Sequence, residues 1–320
     1  MNILQFNNLV KKFDLAKDES GNKLEMHALA IKQDEQSFIH RFKNRSESSD
    51  IRSLSKTVLA LVTGKVIELA EQGIYPKFSQ DTLIFPIIKN VINLTNEDNR
   101  AYLEKIKIND LLSHKIGYDK VLLMRGDIKN MDPYTYLDYL VNYPIKYDPG
   151  EFYLYSNAGF YLLSVVLQEF IAEDLFTFIK RELFTPLGIE NAHWTKYGNY
   201  LAGATRLWLQ PQDLLNIGEL LLNKGSFNDK QIISESWINN MINLKAKVTT
   251  IDPPGRNFLC HYGYGYGIWL TNTNIIFGSG TDGQFIVIVP DKNAIIVTQA
   301  VQKDTEPIKE IIDNIIANEL

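Results

Sequence analysis

Several features that mark secreted, membrane-bound and nucleic-acid-binding proteins are scarce or missing in this sequence. It has a single cysteine, Cys260, so no disulfide can form within the chain. No apolar run approaches the roughly 18 residues that a membrane-spanning helix needs. The formal net charge is −5 and the basic residues are scattered, which excludes a surface suited to nucleic acid or to anionic lipid.

The N-terminal stretch lacks the pattern of a signal peptide. In MNILQFNNLVKKFDLAKDE there is no continuous apolar segment, and Lys11 and Lys12 follow the apolar residues instead of preceding them. We therefore expect a cytoplasmic protein. The histidines do not show the spacing of metal ligands, so no metal site is expected.

The overall composition is that of an ordinary globular protein. The chain has 320 residues, of which 45% are hydrophobic and 22% are charged. This balance is typical of folded domains. The length supports a substantial core, in one large domain or in two closely associated ones.

Hydrophobic periodicity predicts helices at the start of the chain and through its middle. Residues 2–17 are amphipathic, and residues 53–72 carry an apolar stripe that ends where Gly73 can cap a helix. Between them, MHALAIKQDEQSFIHRFK predicts a β-hairpin with its turn at 33–36. From about 80 to 245 the pattern is mostly helical, and the clearest helices are expected at 134–142, 159–170, 174–183 and 211–223.

After residue 256 the pattern becomes that of β-strands. Four segments are rich in aromatic and β-branched residues: HYGYGYGIWL, NIIFGSG, QFIVIVP and NAIIVTQAV. A last helix is expected at 305–318. Because strand-rich ends enclose a helical middle, we predict an α+β fold, with an antiparallel β-sheet flanked by helices and an inserted all-helical subdomain.

We expect the whole chain, 1–320, to form a single domain. Its sheet subdomain is expected at about 1–75 and 250–320, and its helical subdomain at about 76–249. The terminal helices are expected to pack against one face of the sheet.

The stretch DIRSLSKTVLALV places Ser53 one turn before Lys56, at the start of the predicted helix 53–72. Side chains three residues apart share a helix face, so the lysine can reach the Ser53 hydroxyl. A lysine activates a serine when burial or a neighbouring cation lowers the lysine pKa. The alternative is an ordinary helix start with Ser53 as its N-cap. Spacing alone does not decide, because Ser20 and Lys23 show it in a polar turn.

A second candidate stretch, Tyr155-Ser156-Asn157, precedes a predicted helix. A tyrosine can transfer a proton when a nearby cation lowers its pKa, and an asparagine amide can hold a substrate carbonyl or orient a lysine. The alternative is structural, with Asn157 capping the helix and Tyr155 packed like other tyrosines.

A third stretch, FGSGTDGQFIVIVP, has glycines at 278, 280 and 283, in and beside a predicted strand. Glycines there let a ligand approach the backbone closely. The alternative is a tight β-turn at a sheet edge. A phosphate-binding loop is excluded, because no Lys-Ser/Thr pair follows and the next element is a strand.

Taken together and in order, the three stretches resemble the serine β-lactamase-like superfamily. The branch they resemble holds class C β-lactamases, D-Ala-D-Ala carboxypeptidases and related esterases and amide hydrolases. Segments that look like the same family are LLSHKIGY, DPGEFYLYSNAGFYLL, LFTPLGIENAHW and GATRLWLQPQDLLNIGELLLNKG. The resemblance covers about residues 25–300. It implies the β-lactamase/transpeptidase-like fold, with the active site in the cleft between sheet and helical subdomain.

The resemblance implies roles for individual residues. Ser53 would be the nucleophile, Lys56 its base or proton partner, and Tyr155 a second general acid/base. Asn157 would contact the substrate and hold Lys56. These roles imply a serine hydrolase that forms an acyl-enzyme and needs no metal or organic cofactor.

The third motif would contribute to an oxyanion hole and departs from the family. The backbone N–H groups of Ser53 and of Thr281, the residue after Gly280, would bind the oxyanion. At 278–280 the family has Lys-Thr-Gly, or histidine in place of the lysine, whereas this chain has Gly-Ser-Gly. No cation at Gly278 can help to hold a substrate carboxylate, so a small ester, or an amide without that carboxylate, is the expected substrate.

Two alternatives stay open at this point. One is a D-amino-acid peptidase or β-lactamase, and the other is a non-catalytic ligand-binding or sensing member of the fold. Specificity is expected to depend on loops around 119–133 and 245–262. The sequence does not indicate an oligomeric state.

Overall fold

The computed structural model describes residues 1–42, 47–248 and 258–320. The α-helices in these ranges are α1 (Ile3–Leu15), α2 (Ser55–Glu71), α3 (Phe85–Ile88), α4 (Arg100–Leu103), α5 (Ile108–Leu112), α6 (Tyr136–Asn142), α7 (Ala158–Ile171), α8 (Leu175–Ile179), α9 (Pro211–Leu222), α10 (Glu235–Met241) and α11 (Glu306–Asn318).

Five of the fifteen β-strands in the described ranges have five residues or more, and the other ten have two or three. In chain order they are β1 (Met26–Gln33), β2 (Gln36–Arg41), β3 (Ser49–Asp50), β4 (His193–Trp194), β5 (Lys196–Tyr197), β6 (Tyr200–Leu201), β7 (Leu207–Leu209), β8 (Ser226–Phe227), β9 (Lys230–Gln231), β10 (Ala246–Lys247), β11 (Gly263–Tyr264), β12 (Trp269–Leu270), β13 (Ile276–Gly280), β14 (Gln284–Val289) and β15 (Ala294–Ala300).

One antiparallel sheet joins the two ends of the chain. Its strand order is β10-β11-β12-β13-β14-β15-β1-β2. The hairpin near the N-terminus enters the sheet because β1 pairs with β15, from Met26 opposite Ala300 to Gln33 opposite Ala294. This pairing confirms the predicted α+β fold, in which the first hairpin and the last strands share a sheet.

The terminal helices pack on one face of this sheet, as predicted. Phe6, Leu9 and Phe13 of α1 are buried in one hydrophobic cluster with isoleucines of α11 and with Phe285 and Val287 of β14. Because successive strand residues point to opposite faces, the residues of β14 that alternate with Phe285 and Val287 point to the opposite face of the sheet. There α9 packs on β14 and β15.

Close contacts divide the chain into two compact units. The first comprises Met1–Thr57, Leu187–His193 and Leu207–Leu320, and the second comprises Val58–Pro186 and Trp194–Arg206. The first unit contains the eight-stranded sheet, and the second contains α3 to α8. The subdomain boundaries expected at about 76 and 249 stay a prediction.

The clear helices of the middle region are present with small differences in form. The predicted helix 134–142 begins with a 3-10 turn and continues as α6, and the predicted helix 174–183 is α8 followed by a π-helical turn, Lys180–Phe184. The pattern missed the short pairs β5-β6 and β8-β9. Two-residue strands are too short to show a periodicity.

Across the described ranges, the structure contains no helix that combines the length and the apolar character needed to cross a membrane.

Truncation of Phe13 tests the packing of α1 on the sheet. Phe13 is fully buried, so Phe13→Ala removes a large core side chain and should lower the free energy of unfolding by about 3–5 kcal/mol. Leu15→Ala on the same helix is the matched control, because Leu15 is 71% exposed and its loss should cost less than about 0.5 kcal/mol. Denaturant titration measures both, and equal losses would contradict the packing described.

Candidate active site

Ser53 lies in a single 3-10 turn, Arg52–Leu54, that leads directly into α2. The N-cap position of this turn is Ile51, not Ser53. The backbone N–H of Arg52, the first residue of the turn, donates to the Asp50 carboxylate at 2.9 Å. The N-cap interpretation of Ser53 is therefore wrong, and the hydroxyl serves a different interaction.

That interaction is with Lys56, which the structure brings to Ser53 as the spacing predicted. Lys56 Nζ donates a hydrogen bond to Ser53 Oγ at 3.1 Å. The lysine side chain is fully buried, whereas Ser53 is partly exposed. Burial disfavours the charged ammonium and lowers the Lys56 pKa from 10.5 to about 7. Near neutral pH a large fraction of the amine is therefore unprotonated and can accept the serine proton.

Strand β13 runs beside this turn and approaches it closely at Gly280. A Cβ atom at position 280 would meet the Ile51 carbonyl oxygen and would lie 2.9 Å from Arg52 Cβ. The close approach therefore requires glycine. Thr281 follows and opens the three-residue turn that leads to β14, where Gly280 pairs with Gln284. The tight turn was anticipated, but its expected place at a sheet edge is wrong, because β13 lies between β12 and β14.

The space beside Gly278 is filled by apolar side chains. A Cβ atom there would overlap the Leu54 Cδ2 methyl and would lie 2.9 Å from Ile286 Cγ2. Thr57 Oγ1 would be 3.2 Å away, and this hydroxyl donates to the Gly267 carbonyl at 2.6 Å. A longer side chain at position 278 would thus displace a buried leucine. The packing of Leu54 therefore requires glycine where the family's third motif has lysine or histidine.

Tyr155 and Asn157 belong to the second unit, in the loop that leads into α7. Asn157 occupies the N-cap position of α7, but its side chain makes no capping bond to the described helix. Its amide instead donates to the Leu123 carbonyl at 2.9 Å, and Ser156 Oγ accepts from the Ala158 N–H at 3.2 Å. The structural alternative for Asn157 was right about the position and wrong about the bond.

The Tyr155 ring is packed beside a buried histidine of the same unit. The centroids of the Tyr155 and His114 rings are 4.5 Å apart, and His114 has a left-handed backbone with φ of +58°. Tyr155 itself is half-buried. The packing fixes one face of the tyrosine ring.

The two predicted specificity loops are described unequally. Residues 119–133 are present and contain Leu123, the acceptor of the Asn157 amide. Of the loop 245–262, residues 249–257 lie outside the described residues. The role of both loops in specificity stays a prediction.

One residue beside Ser53 was overlooked in the sequence. The Arg52 guanidinium pairs with Asp50 at 2.7 Å and with Asp282 at 3.0 Å. The Asp50-Ile51-Arg52 spacing was the only signal available, and it does not point to Asp282.

Comparison with known proteins agrees with this architecture. The beta-lactamase family model matches residues 44–316. A protein of Escherichia coli O157:H7, provisionally named D-alanyl-D-alanine carboxypeptidase, is 23% identical over 118 residues, which are 35% of this chain and 27% of that protein. The chain thus matches about a quarter of the length of that curated relative.

Two solved structures share the fold over nearly the whole chain. The provisionally named 6-aminohexanoate-dimer hydrolase of Bacillus anthracis has a TM-score of 0.72 at 19% identity, covering 92% of this chain and 79% of its own. EstCE1, described as a hydrolase with promiscuous acyltransferase activity, has a TM-score of 0.72 at 14% identity. The match covers 98% of this chain and 99% of EstCE1. Since the family model takes in most of the chain, this protein belongs to the beta-lactamase family, a family of hydrolases.

Proposed function

We propose that the protein is a serine hydrolase that cleaves small esters, or amides without a carboxylate, through an acyl-enzyme. The observation that carries the proposal is the pair formed by Ser53 and Lys56. Their Oγ and Nζ atoms are 3.1 Å apart, and the amine is fully buried with its pKa lowered to about 7. A positioned base with a pKa near the working pH is what general base catalysis requires.

The proposed reaction has two steps. Unprotonated Lys56 takes the Ser53 proton while Oγ bonds to the carbonyl carbon, and the C–O or C–N bond to the leaving group then breaks as that group is protonated. Water adds to the acyl-enzyme, and release of the acid restores the serine. In this proposal the Ser53 and Thr281 N–H groups bind the oxyanion. Tyr155 is the second general acid/base, and Asn157 contacts the substrate.

Preference for substrates without a carboxylate is supported by the surroundings of Ser53. Leu54 and Ile286 fill the space beside Gly278. The guanidinium of Arg52 is already engaged by Asp50 and Asp282. A substrate carboxylate would therefore gain no attraction from position 278 and little from Arg52. The structural neighbour described as a hydrolase with promiscuous acyltransferase activity is consistent with an acyl-enzyme.

Intact-protein mass after brief mixing with p-nitrophenyl butyrate tests the nucleophile. Wild type should gain one butyryl group and release p-nitrophenol, and Ser53→Ala should do neither. Ser20→Ala is the matched control, because Ser20 has the same spacing to Lys23 in a polar turn and its loss should leave the adduct unchanged. An adduct that persists on Ser53→Ala, or a wild type that neither acylates nor releases p-nitrophenol, would refute the proposal.

The buried amine predicts a pH dependence of stability. Between pH 7 and 10.5 the folded protein binds fewer protons at Lys56 than the unfolded chain, so its free energy of unfolding should rise with pH across this window. Below pH 7 both states carry the proton, and burial of the charge costs a few kcal/mol. Lys56→Met should be more stable near pH 7 and should lack this rise. Denaturant titrations of both proteins at several pH values measure the difference, and parallel curves would contradict a lowered pKa.

Two esters of equal chain length test the exclusion of a carboxylate. We expect kcat/KM for p-nitrophenyl butyrate to exceed that for mono-p-nitrophenyl succinate at least about tenfold, a difference of ~1.4 kcal/mol in transition-state stabilisation. Assays over a range of salt concentrations check the effect of the added charge. Equal rates, or a faster reaction with the succinate or with benzylpenicillin, would favour the β-lactamase or peptidase alternative.

A further inference from the structure

Arg52, the residue before Ser53, has a backbone conformation that arginine rarely adopts. Its φ is +54°, in the left-handed region. Such a conformation costs free energy in a residue with a Cβ and persists only when the surroundings impose it. Arg52 lies directly before the proposed nucleophile. The interactions that hold Arg52 in this conformation therefore also affect the orientation of Ser53.

Two carboxylates, those of Asp50 and Asp282, bind the Arg52 side chain. Nη1 lies 2.7 Å from Asp50 Oδ2, and Nε and Nη2 each lie 3.0 Å from Asp282 Oδ2. Asp50 also accepts the Arg52 backbone N–H at 2.9 Å through its other oxygen. The Asp50 side chain is only 5% exposed, and those of Arg52 and Asp282 are 21% and 23% exposed. Partly buried, charge-assisted bonds of this kind restrict geometry more than an exposed ion pair does.

The partners of Arg52 lie on the two segments that would form the oxyanion hole. Asp50 precedes the Ser53 turn, and Asp282 directly follows Thr281 in the turn after β13. Gly280, two residues before Asp282, lies against the Ile51 carbonyl oxygen and the Arg52 Cβ. The ion bridges therefore tie the Ser53 segment to the Thr281 segment, although 230 residues separate Arg52 from Asp282.

We propose that Arg52 is a positioning residue, which sets the spacing of the Ser53 and Thr281 N–H groups through Asp50 and Asp282. The inference rests on the proposed hydrolase function. Because oxyanion binding develops only in the transition state, the effect of Arg52 falls on kcat and not on substrate binding. Arg52 does not itself contact the substrate in this proposal.

Substitutions that distinguish the effect of the Arg52 backbone conformation from the effect of its ion pairs test this role. Arg52→Gly accepts a positive φ without strain and removes the guanidinium, whereas Arg52→Lys keeps a cation but loses the planar fork. Asp282→Asn removes the charge of one of the two carboxylates that pair with Arg52. Arg181→Ala is the control, because the Arg181 side chain is 50% exposed and its ion pairs with Glu173 and Glu182 lie in the second unit.

Hydrolysis of p-nitrophenyl butyrate, with melting temperature measured on the same samples, is the assay. We expect kcat to fall about 10- to 100-fold in Arg52→Gly and Asp282→Asn, with KM changed less than about threefold. Arg52→Lys should recover part of the loss. The double variant Arg52→Gly/Asp282→Asn should be little worse than either single one, because both break the same linkage. Arg181→Ala should match wild type.

The outcomes separate the two proposals. If wild type hydrolyses the ester and kcat is unchanged in folded Arg52→Gly, the positioning role is refuted and Arg52 serves stability alone. A rise in KM at constant kcat would also refute it, because it would place Arg52 in substrate binding. If wild type neither hydrolyses the ester nor forms an adduct, the hydrolase proposal fails and this inference fails with it.

Discussion

The chemistry proposed for this protein depends on one unfavourable placement: a lysine amine held away from water, one helical turn from a serine. Burial makes the charged form of Lys56 costly, and the same burial leaves a large fraction of the amine unprotonated near neutral pH. The fold must therefore supply stability elsewhere. It does so through the eight-stranded sheet, which packs α1 and α11 on one face and α9 on the other. The large hydrophobic core thus offsets the loss of stability that a buried lysine causes.

A second constraint is the close approach of β13 to the turn that carries Ser53. Gly280 allows the contact, and Gly278 allows Leu54 to pack against the strand. The two glycines have different consequences in the proposed reaction. Gly280 brings the Thr281 turn near the Ser53 segment, whereas the leucine beside Gly278 leaves no room for the cation that the family's third motif carries there. In the proposed mechanism, this one strand therefore both helps to form the oxyanion hole and disfavours substrates with a carboxylate.

The features that were predictable from sequence are those encoded locally. The helix behind Ser53, the N-terminal hairpin and the late strands have clear periodicity, and the reach of Lys56 to Ser53 follows from helix geometry. Other features depend on the folded chain. No local pattern pairs Arg52 with Asp282, 230 residues away. The burial that lowers the Lys56 pKa is likewise a property of the assembled structure. Asn157 occupies a helix start as its sequence suggests, yet its amide bonds to Leu123.

The bond from Asn157 to Leu123 couples a proposed substrate contact to a loop predicted to govern specificity. Leu123 lies within 119–133 and has a left-handed backbone, with φ of +57°. Its N–H donates to Asp127 at 2.9 Å, so a carboxylate of the same loop holds the carbonyl that receives the Asn157 amide. Changes in this loop would therefore alter the orientation of Asn157 as well as the shape of its surroundings. Specificity and the placement of Asn157 are then not independent, and a change of substrate through this loop would have to preserve the Leu123 carbonyl.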